Sequence, residues 1–240
     1  MAPDNLLTPF LHAGLFAQII IVILFVMSVV SWAIFIRKWR TLRKATVQTR
    51  TLLNQLEGRS RLADYERIAQ GHRQSPLASL LLAALREWDS LNEQFPAAKG
   101  GQELLQQLIP NITEATERAA SRETDRLESS LSFLAITTMV APFLGLLGTV
   151  QGVLRTFLSL RGAQLPTLQL IAPGISDALV TTVMGLLVAI PAALFYNYFT
   201  GRVRTLQSEM DRFASELTGL FRREIVSSML EDNRTRNRPV

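Results

Sequence analysis

Residues 15–36 read LFAQIIIVILFVMSVVSWAIFI, a stretch of 22 residues without one charged side chain. At about 1.5 Å per helical residue, this stretch covers the roughly 30 Å hydrocarbon core of a bilayer. A cleaved signal peptide does not fit, because no basic residue precedes the stretch and no small-residue cleavage site follows it. The stretch is also too long for a signal-peptide core. We therefore predict a transmembrane helix over 15–36.

The charges on either side of this span predict its orientation. Five basic residues follow the span within eight positions, whereas residues 1–14 contain Asp4 and no Lys or Arg. Basic residues accumulate on the cytoplasmic side of membrane proteins. We expect residues 1–14 in the periplasm and the chain from residue 37 onward in the cytoplasm.

Two further spans follow, at 129–154 and 177–199. The first carries no charge, and the second carries only Asp177. The segment between them, 155–176, holds two charges, Arg155 and Arg161, and is predicted to be a short periplasmic loop.

The remaining segments are charged and are assigned to the cytoplasm. Residues 37–128 hold 15 Lys or Arg and 12 Asp or Glu, and form a predicted cytoplasmic helical domain. Residues 200–240 are predicted to be a cytoplasmic helix with a basic tail. The fold class is thus an all-α membrane protein with three transmembrane helices and long cytoplasmic helical extensions.

Prolines and glycines predict where several helices begin. Pro110 and Asn111 are expected to open a helix that runs unbroken into the second span, because no Gly or Pro separates the two. Pro173 and Gly174 are expected to open the third helix.

The predicted last helix carries apolar residues at steps of three and four, which is the pattern of an a/d seam. They are Val203, Leu206, Met210, Phe213, Leu217 and Leu220. The seam fits two partners equally well: the chain's own cytoplasmic helices or a neighbouring copy of the chain.

The second and third spans contain small and hydroxylated residues that a simple membrane anchor does not need. Gly145, Thr149, Gly152 and Thr156 are separated by four, three and four positions and share one helix face. Small faces allow close helix packing, and their hydroxyls bond across helices. The residues assigned to packing are Pro142, Gly145, Gly148, Gly152, Gly174, Gly185 and Pro191.

The candidate proton-pathway residues are Thr149, Thr181, Thr182 and Asp177. Asp177 lies at the mouth of the third span, where an ionisable group indicates function unless it caps the helix N-terminus. Both interpretations of Asp177 stay open. The threonine hydroxyls either line a wet path or bond back to their own helices. This chain has no strong proton carrier deep in the membrane, so such a group would come from another protein.

Two motifs resemble the TolQ/ExbB/MotA proton-channel family. The second span contains Ala141–Val153, APFLGLLGTVQGV, and the third is entered by Ala172–Leu179, APGISDAL, in the family's order and spacing. Residues 31–34 (SWAI) and 167–169 (TLQ) are more similar to the TolQ branch than to the ExbB branch.

The resemblance implies a ring, generally of five copies, around two copies of a single-span partner of the TolR or ExbD type. The partner's aspartate would accept the proton, and a periplasm-spanning protein of the TolA or TonB type would transmit the force. By position, Thr149 and Thr181 or Thr182 match the family's pore-facing threonines, with Thr182 the closer match. Asp177 stands where the family usually has glutamate, which puts a direct salt bridge at that position in doubt.

Other function classes fit less well. The net charge of +5 suits cytoplasmic loops better than nucleic-acid binding. The chain has no cysteine and two histidines, so we expect neither a metal site nor a cofactor. No catalytic dyad or HExxH motif lies in the spans, so we expect no enzyme activity. An ExbB-type subunit for TonB-dependent uptake, a non-conducting scaffold in the bacterial inner membrane and sodium coupling remain alternatives.

Overall fold

The computed structural model describes residues 15–58, 62–94, 101–160 and 168–236 of the chain. Within these ranges the chain is helical except for short turns at 57–58, 72–75 and 129–130, and the described residues contain no strand. The helices are α1 (Leu15–Leu56), α2 (Leu62–Gly71), α3 (Pro76–Gln94), α4 (Gly101–Glu128), α5 (Leu131–Leu160) and α6 (Leu168–Arg236). This confirms the predicted all-α fold class.

Three helices are long and apolar enough to cross a membrane, by length and composition. They lie within Leu15–Leu56, Leu131–Leu160 and Ile171–Ser227. Many large apolar side chains on them face outward, among them Met139, Phe143 and Leu194, each about two-thirds exposed. Such a surface suits lipid or neighbouring copies rather than water.

The chain divides into two compact units. Unit 1 consists of residues 1–38 and 130–200, and unit 2 of residues 39–129 and 201–240. In unit 1, a small apolar cluster joins Ile20 and Leu24 of α1 to Ala141 of α5 and to Val188 and Ala189 of α6. This cluster fixes the three apolar helical segments against one another.

Unit 2 has a larger apolar core, to which α1, α2, α3, α4 and α6 all contribute. The later part of the predicted seam lies in it. All of the seam residues from Val203 to Leu217 are buried, and Leu220 is partly buried. Met210, Phe213 and Leu217 pack in the same cluster as Leu52, Leu81 and Ile112. Of the two partners that the sequence left open, the structure therefore shows the chain's own helices.

Local signals explain two of the helix ends in unit 2. Gly58 takes a left-handed φ of 76° two residues after α1 ends, a conformation that glycine adopts without steric cost. α3 begins at Pro76 directly after Ser75, which is a favourable first position for proline. The buried hydroxyl of Ser75 also hydrogen-bonds that of Thr49 in α1, at 2.9 Å.

Two predicted helix boundaries are wrong. α4 begins at Gly101, so Pro110 lies inside it, at an exposed position. The helix also does not continue into α5, because Ser130 has a φ of 69°. The Ser129 hydroxyl donates to the Arg126 carbonyl at 2.8 Å, so local side-chain bonding accompanies this break without Gly or Pro.

A third prediction, the opening of α6 at Pro173–Gly174, is also wrong. α6 begins at Leu168, and both residues lie inside it. The predicted loop 155–176 is helical up to Leu160 and again from Leu168, while residues 161–167 lie outside the described ranges. Residues 1–14 and 237–240 also lie outside them.

Candidate functional site

The α5 helix packs against α6 in unit 1 through glycines, so that backbone touches backbone. A Cβ atom placed on Gly145 would lie 2.9 Å from the Thr181 carbonyl oxygen and 3.0 Å from the Thr182 Cα. One placed on Gly185 would lie 2.6 Å from the Ala141 carbonyl oxygen. No side chain fits in these gaps, and this close approach is typical of small residues in membrane helices.

The remaining glycine contacts set the register of the pair. A Cβ on Gly152 would lie 2.7 Å from the Ala178 Cβ, and one on Gly174 would meet the Thr156 hydroxyl. Successive contacts move backward along α6 as they move forward along α5, so the two segments are antiparallel. Gly145, Gly148, Gly152, Gly174 and Gly185 thus all lie at the α5–α6 contact.

The two prolines that the sequence assigned to packing differ from these glycines in their structural role. Pro142 in α5 and Pro191 in α6 lie inside their helices and are half-buried. Because proline has no N–H, each leaves the carbonyl of the preceding turn without its helical donor.

A threonine from each helix closes the space beside Gly145, and the two threonine hydroxyls bond to each other. They belong to Thr149 of α5 and Thr182 of α6. Thr182 also donates to the Gly145 carbonyl at 3.1 Å, and Thr149 reaches the Ala178 carbonyl at 3.3 Å. Each hydroxyl therefore reaches the carbonyl one helical turn before the other threonine.

Thr181 lies inside the helix pair, although it neighbours Thr182 in sequence. Its side chain is fully buried, and its hydroxyl reaches the Ala178 carbonyl at 2.7 Å and the Gly145 carbonyl at 3.1 Å. Thr149 and Thr182 are only half-buried. Of the two candidates in α6, Thr182 is therefore at the accessible edge and Thr181 is not. We define Thr149, Thr181 and Thr182 as the hydroxyl cluster.

The structure separates Asp177 from the Thr149–Thr182 pair. At about 100° per residue, Asp177 lies on the same stripe of α6 as Met184 and Val188, which pack with the α1 residues Ile20 and Leu24. Thr182 is five residues from Asp177, or about 140° around the helix. Asp177 is half-buried and forms no hydrogen bond or ion pair with the residues that the structure describes.

Asp177 is not a helix cap. It lies nine residues after the start of α6, beyond the first turn in which the helix dipole favours an acidic group. The capping interpretation of Asp177 is therefore wrong, and its partial exposure in an apolar segment needs another explanation.

The hydroxyl cluster accepts and donates hydrogen bonds but holds no charge. Threonine does not ionise near neutral pH, and Asp177 is the one carboxylate within the described apolar segments of α1, α5 and α6. No three potential metal ligands come together among the described residues. The geometry thus provides uncharged hydrogen-bonding groups beside the α5–α6 contact.

Residues 73–212 match the MotA/TolQ/ExbB proton channel family. The chain belongs to this family. The matched segment contains α5, the apolar part of α6 and every residue of the hydroxyl cluster.

Among similar proteins of this family are Tol-Pal system proteins TolQ. The Haemophilus influenzae protein is 34% identical, with 92% of this chain and 95% of that protein covered. The Pseudomonas aeruginosa protein is 30% identical, with 90% and 92% covered. The biopolymer transport protein ExbB of Salmonella typhimurium is 30% identical, with 89% and 85% covered. Family membership and the three apolar helices make this chain a multi-pass inner-membrane protein.

The sequence did not indicate the acceptors of this proton-channel-family site. The carbonyls of Gly145 and Ala178 carry no side-chain signature, yet every hydroxyl of the cluster lies within 3.3 Å of at least one of them. Only the spacing of four between Gly145 and Thr149 hinted that the glycine carbonyl lies beneath the hydroxyl.

Proposed function

We propose that this chain is the channel-ring subunit of a motor driven by the proton-motive force, of the Tol-Pal type. With a TolR-type single-span partner, it would energise a periplasm-spanning TolA-type protein that maintains outer-membrane integrity and envelope constriction. The observation that carries the proposal is the Thr149–Thr182 hydroxyl pair, because it lies at the accessible edge of two glycine-packed apolar helices.

The groups that a single chain leaves exposed support an arrangement of several copies. The hydroxyl pair is half-buried, and the helices around it expose large apolar side chains such as Leu146 and Leu186. A ring, generally of five copies in this family, would bring the pairs together around a narrow lumen and cover the apolar side chains.

The energetics favour a carboxyl group on the partner. A charged carboxylate in such a lumen would lose its hydration, so it would be driven to bind a proton. The protonated carboxyl would donate a hydrogen bond to a threonine oxygen. Each proton crossing a potential of 100 mV supplies about 2.3 kcal/mol, so a mechanical step would require several protons.

The proposed topology has the N-terminus, residues 1–14, in the periplasm and residues 37–128 in the cytoplasm. The spans are 15–36, 129–154 and 177–199, with 155–176 in the periplasm and 200–240 in the cytoplasm. The basic residues that follow α1's apolar stretch support this orientation. Asp177 would then lie near the periplasmic end of its span.

The deciding experiment is native mass spectrometry of the chain co-expressed with a TolR-type single-span protein from the same host, followed by proton flux in liposomes. We expect a closed ring that retains fewer copies of the partner than of this chain and conducts protons. A stable monomer or dimer without a partner would contradict the ring. A ring that retains the partner but passes no protons would indicate a scaffold.

An ExbB-type role is the second candidate, and the ExbB protein at 30% identity favours it. Deleting the gene for this chain from its host would distinguish the Tol role from the ExbB role. Leakage of periplasmic proteins and chained cells would indicate the Tol role. Failure to grow on a scarce nutrient taken up across the outer membrane, with an intact envelope, would indicate the ExbB role.

A further inference from the structure

A group of exposed basic side chains follows the apolar stretch of α1. This helix runs without a break from Leu15 to Leu56 and contains no Asp or Glu. Arg40, Arg43 and Lys44 are exposed, and none of them forms a hydrogen bond or ion pair with the residues that the structure describes. We define these three residues as the basic cluster. Its positive charge is therefore available to an anion from another molecule.

The basic cluster lies on the face of α1 that is opposite its buried residues. Exposed residues recur on this face at steps of seven, four and three, namely Val29, Ile36, Arg40 and Arg43. Lys38, on the other side of the helix, is buried. In a bilayer, the apolar side chains of this exposed face contact lipid chains. The basic cluster continues the same face beyond the apolar stretch, where the headgroups of those lipids lie.

Helix geometry places the basic cluster at the depth of the headgroup layer. Arg40 and Lys44 follow Ile36 by four and eight residues, or about 6 and 12 Å along the helix, and headgroups extend about 5–8 Å beyond the hydrocarbon core. Helical side chains lean toward the N-terminus of their helix, which for α1 is its apolar end. The long basic side chains therefore reach back toward the headgroups. Trp39, which is 43% exposed, is a residue type that favours this interface.

We propose that the basic cluster binds the phosphate group of an anionic phospholipid. Guanidinium and ammonium groups donate charge-assisted hydrogen bonds to phosphate oxygens, and guanidinium does so with two parallel bonds. A lipid fits better than a soluble anion, because the helix face before Arg40 is apolar and would hold the lipid chains. A lipid also fits better than a neighbouring copy, because the corresponding face of α1 in that copy carries no acidic residue. The inference does not depend on proton conduction.

The test is native mass spectrometry of the full chain in mild detergent, titrated with phosphatidylglycerol or with phosphatidylcholine of identical acyl chains. The central variant carries Arg40→Gln, Arg43→Gln and Lys44→Gln together. Arg50→Gln is the matched control, because Arg50 is equally exposed and also has no partner among the described residues. It shares the face of Arg43 but lies about 10 Å further along α1. At about 15 Å from Arg40, its charge is screened from the headgroups at physiological salt.

We expect the wild type to bind phosphatidylglycerol more tightly than phosphatidylcholine. Each cation near an anionic lipid surface contributes about fivefold in affinity, so the triple variant should bind phosphatidylglycerol at least about tenfold more weakly. Arg50→Gln should change this affinity less than about twofold. The affinity for phosphatidylcholine and the number of copies in the complex should stay the same in all variants. Inorganic phosphate in large excess should not displace bound phosphatidylglycerol.

Several outcomes would overturn the inference. Equal affinities of the triple variant and the wild type would show that the basic cluster is not the site, and an equal loss in Arg50→Gln would show a general charge effect. Displacement by inorganic phosphate would indicate a site for soluble anions. Fewer copies in the triple variant, with phosphatidylglycerol affinity unchanged, would assign this face to contacts between copies. If the triple variant does not fold, Arg40→Gln and Arg43→Gln decide singly, each with an expected loss of about fivefold.

Discussion

Gly145 and Gly185 face each other across the α5–α6 contact so closely that a Cβ on Gly185 would lie 3.0 Å from the Gly145 Cα. The obstacles around both glycines are backbone atoms, which do not rotate away as side chains do. The hydroxyl cluster is built on this contact, because Gly145 also supplies the carbonyl that its hydroxyls reach. A change in the distance between the two helices would therefore also change the hydrogen-bond geometry of the hydroxyls.

Alanine at either glycine should force the two helices apart. We expect Gly145→Ala and Gly185→Ala each to cost about 1–3 kcal/mol, the range for overpacking a tight contact, and to lower the thermal midpoint in detergent. Gly201→Ala is the matched control on α6, because a Cβ there meets nothing within 4 Å. It should be neutral or stabilising by up to about 1 kcal/mol, since alanine favours the helix. Equal midpoints for all three variants would contradict the backbone contact.

The two accessible threonines should behave as one unit in proton flux. Thr149→Val and Thr182→Val keep the side-chain shape and remove the hydroxyl, so each should lower the flux with the native mass unchanged. The double variant should be no worse than the more impaired single variant, because each substitution alone breaks the shared bond. Losses that multiply would show that the hydroxyls act separately.

Asp177 should act through its charge and independently of the hydroxyl pair. A carboxylate near the mouth of a pathway raises the local concentration of cations, an effect that salt screens. Asp177→Asn should therefore lower the flux a few-fold at low ionic strength and much less at high ionic strength. The Thr182→Val effect should be insensitive to salt. A salt-independent loss in Asp177→Asn would instead indicate a direct role for this side chain in proton transfer.

Asp177→Asn and Thr182→Val, combined in one chain, test whether the two side chains lie on different faces of α6. Asp177 and Thr182 lie about 140° apart on the helix and share no hydrogen-bond partner among the described residues. Their effects on the logarithm of the flux should add, as is usual for distant sites.

The sequence predicted features that depend on a repeating pattern within one helix. The seam from Val203 to Leu217 follows a heptad spacing, and all five of these seam residues are buried in the structure. It did not predict the break at Ser130, because serine also fits within a helix and is not a residue type that marks a left-handed φ. Helix periodicity likewise did not separate Thr181 from Thr182, although the family motif matched Thr182 more closely, since the choice depends on how α6 is rotated against α5. That rotation is set by the glycine contacts between the helices rather than by either threonine.

The seam also gives a stability prediction for unit 2. Phe221, one turn beyond Leu217, is fully buried, and its ring centroid is 5.3 Å from that of Trp88. Phe221→Ala should remove this contact and leave a cavity, at a cost of about 3–5 kcal/mol. Val226→Ala, at a position 41% exposed on the same helix, is the control and should change stability by less than about 0.5 kcal/mol.

The measurement is thermal unfolding of the detergent-solubilised chain, followed by tryptophan fluorescence. Trp88 reports directly on this core, so Phe221→Ala should also shift its emission to longer wavelength before unfolding begins. If Val226→Ala lowers the thermal midpoint as much as Phe221→Ala does, residue 226 is buried by contacts between copies. A Phe221→Ala chain as stable as the wild type would contradict the packing of α6 in this core.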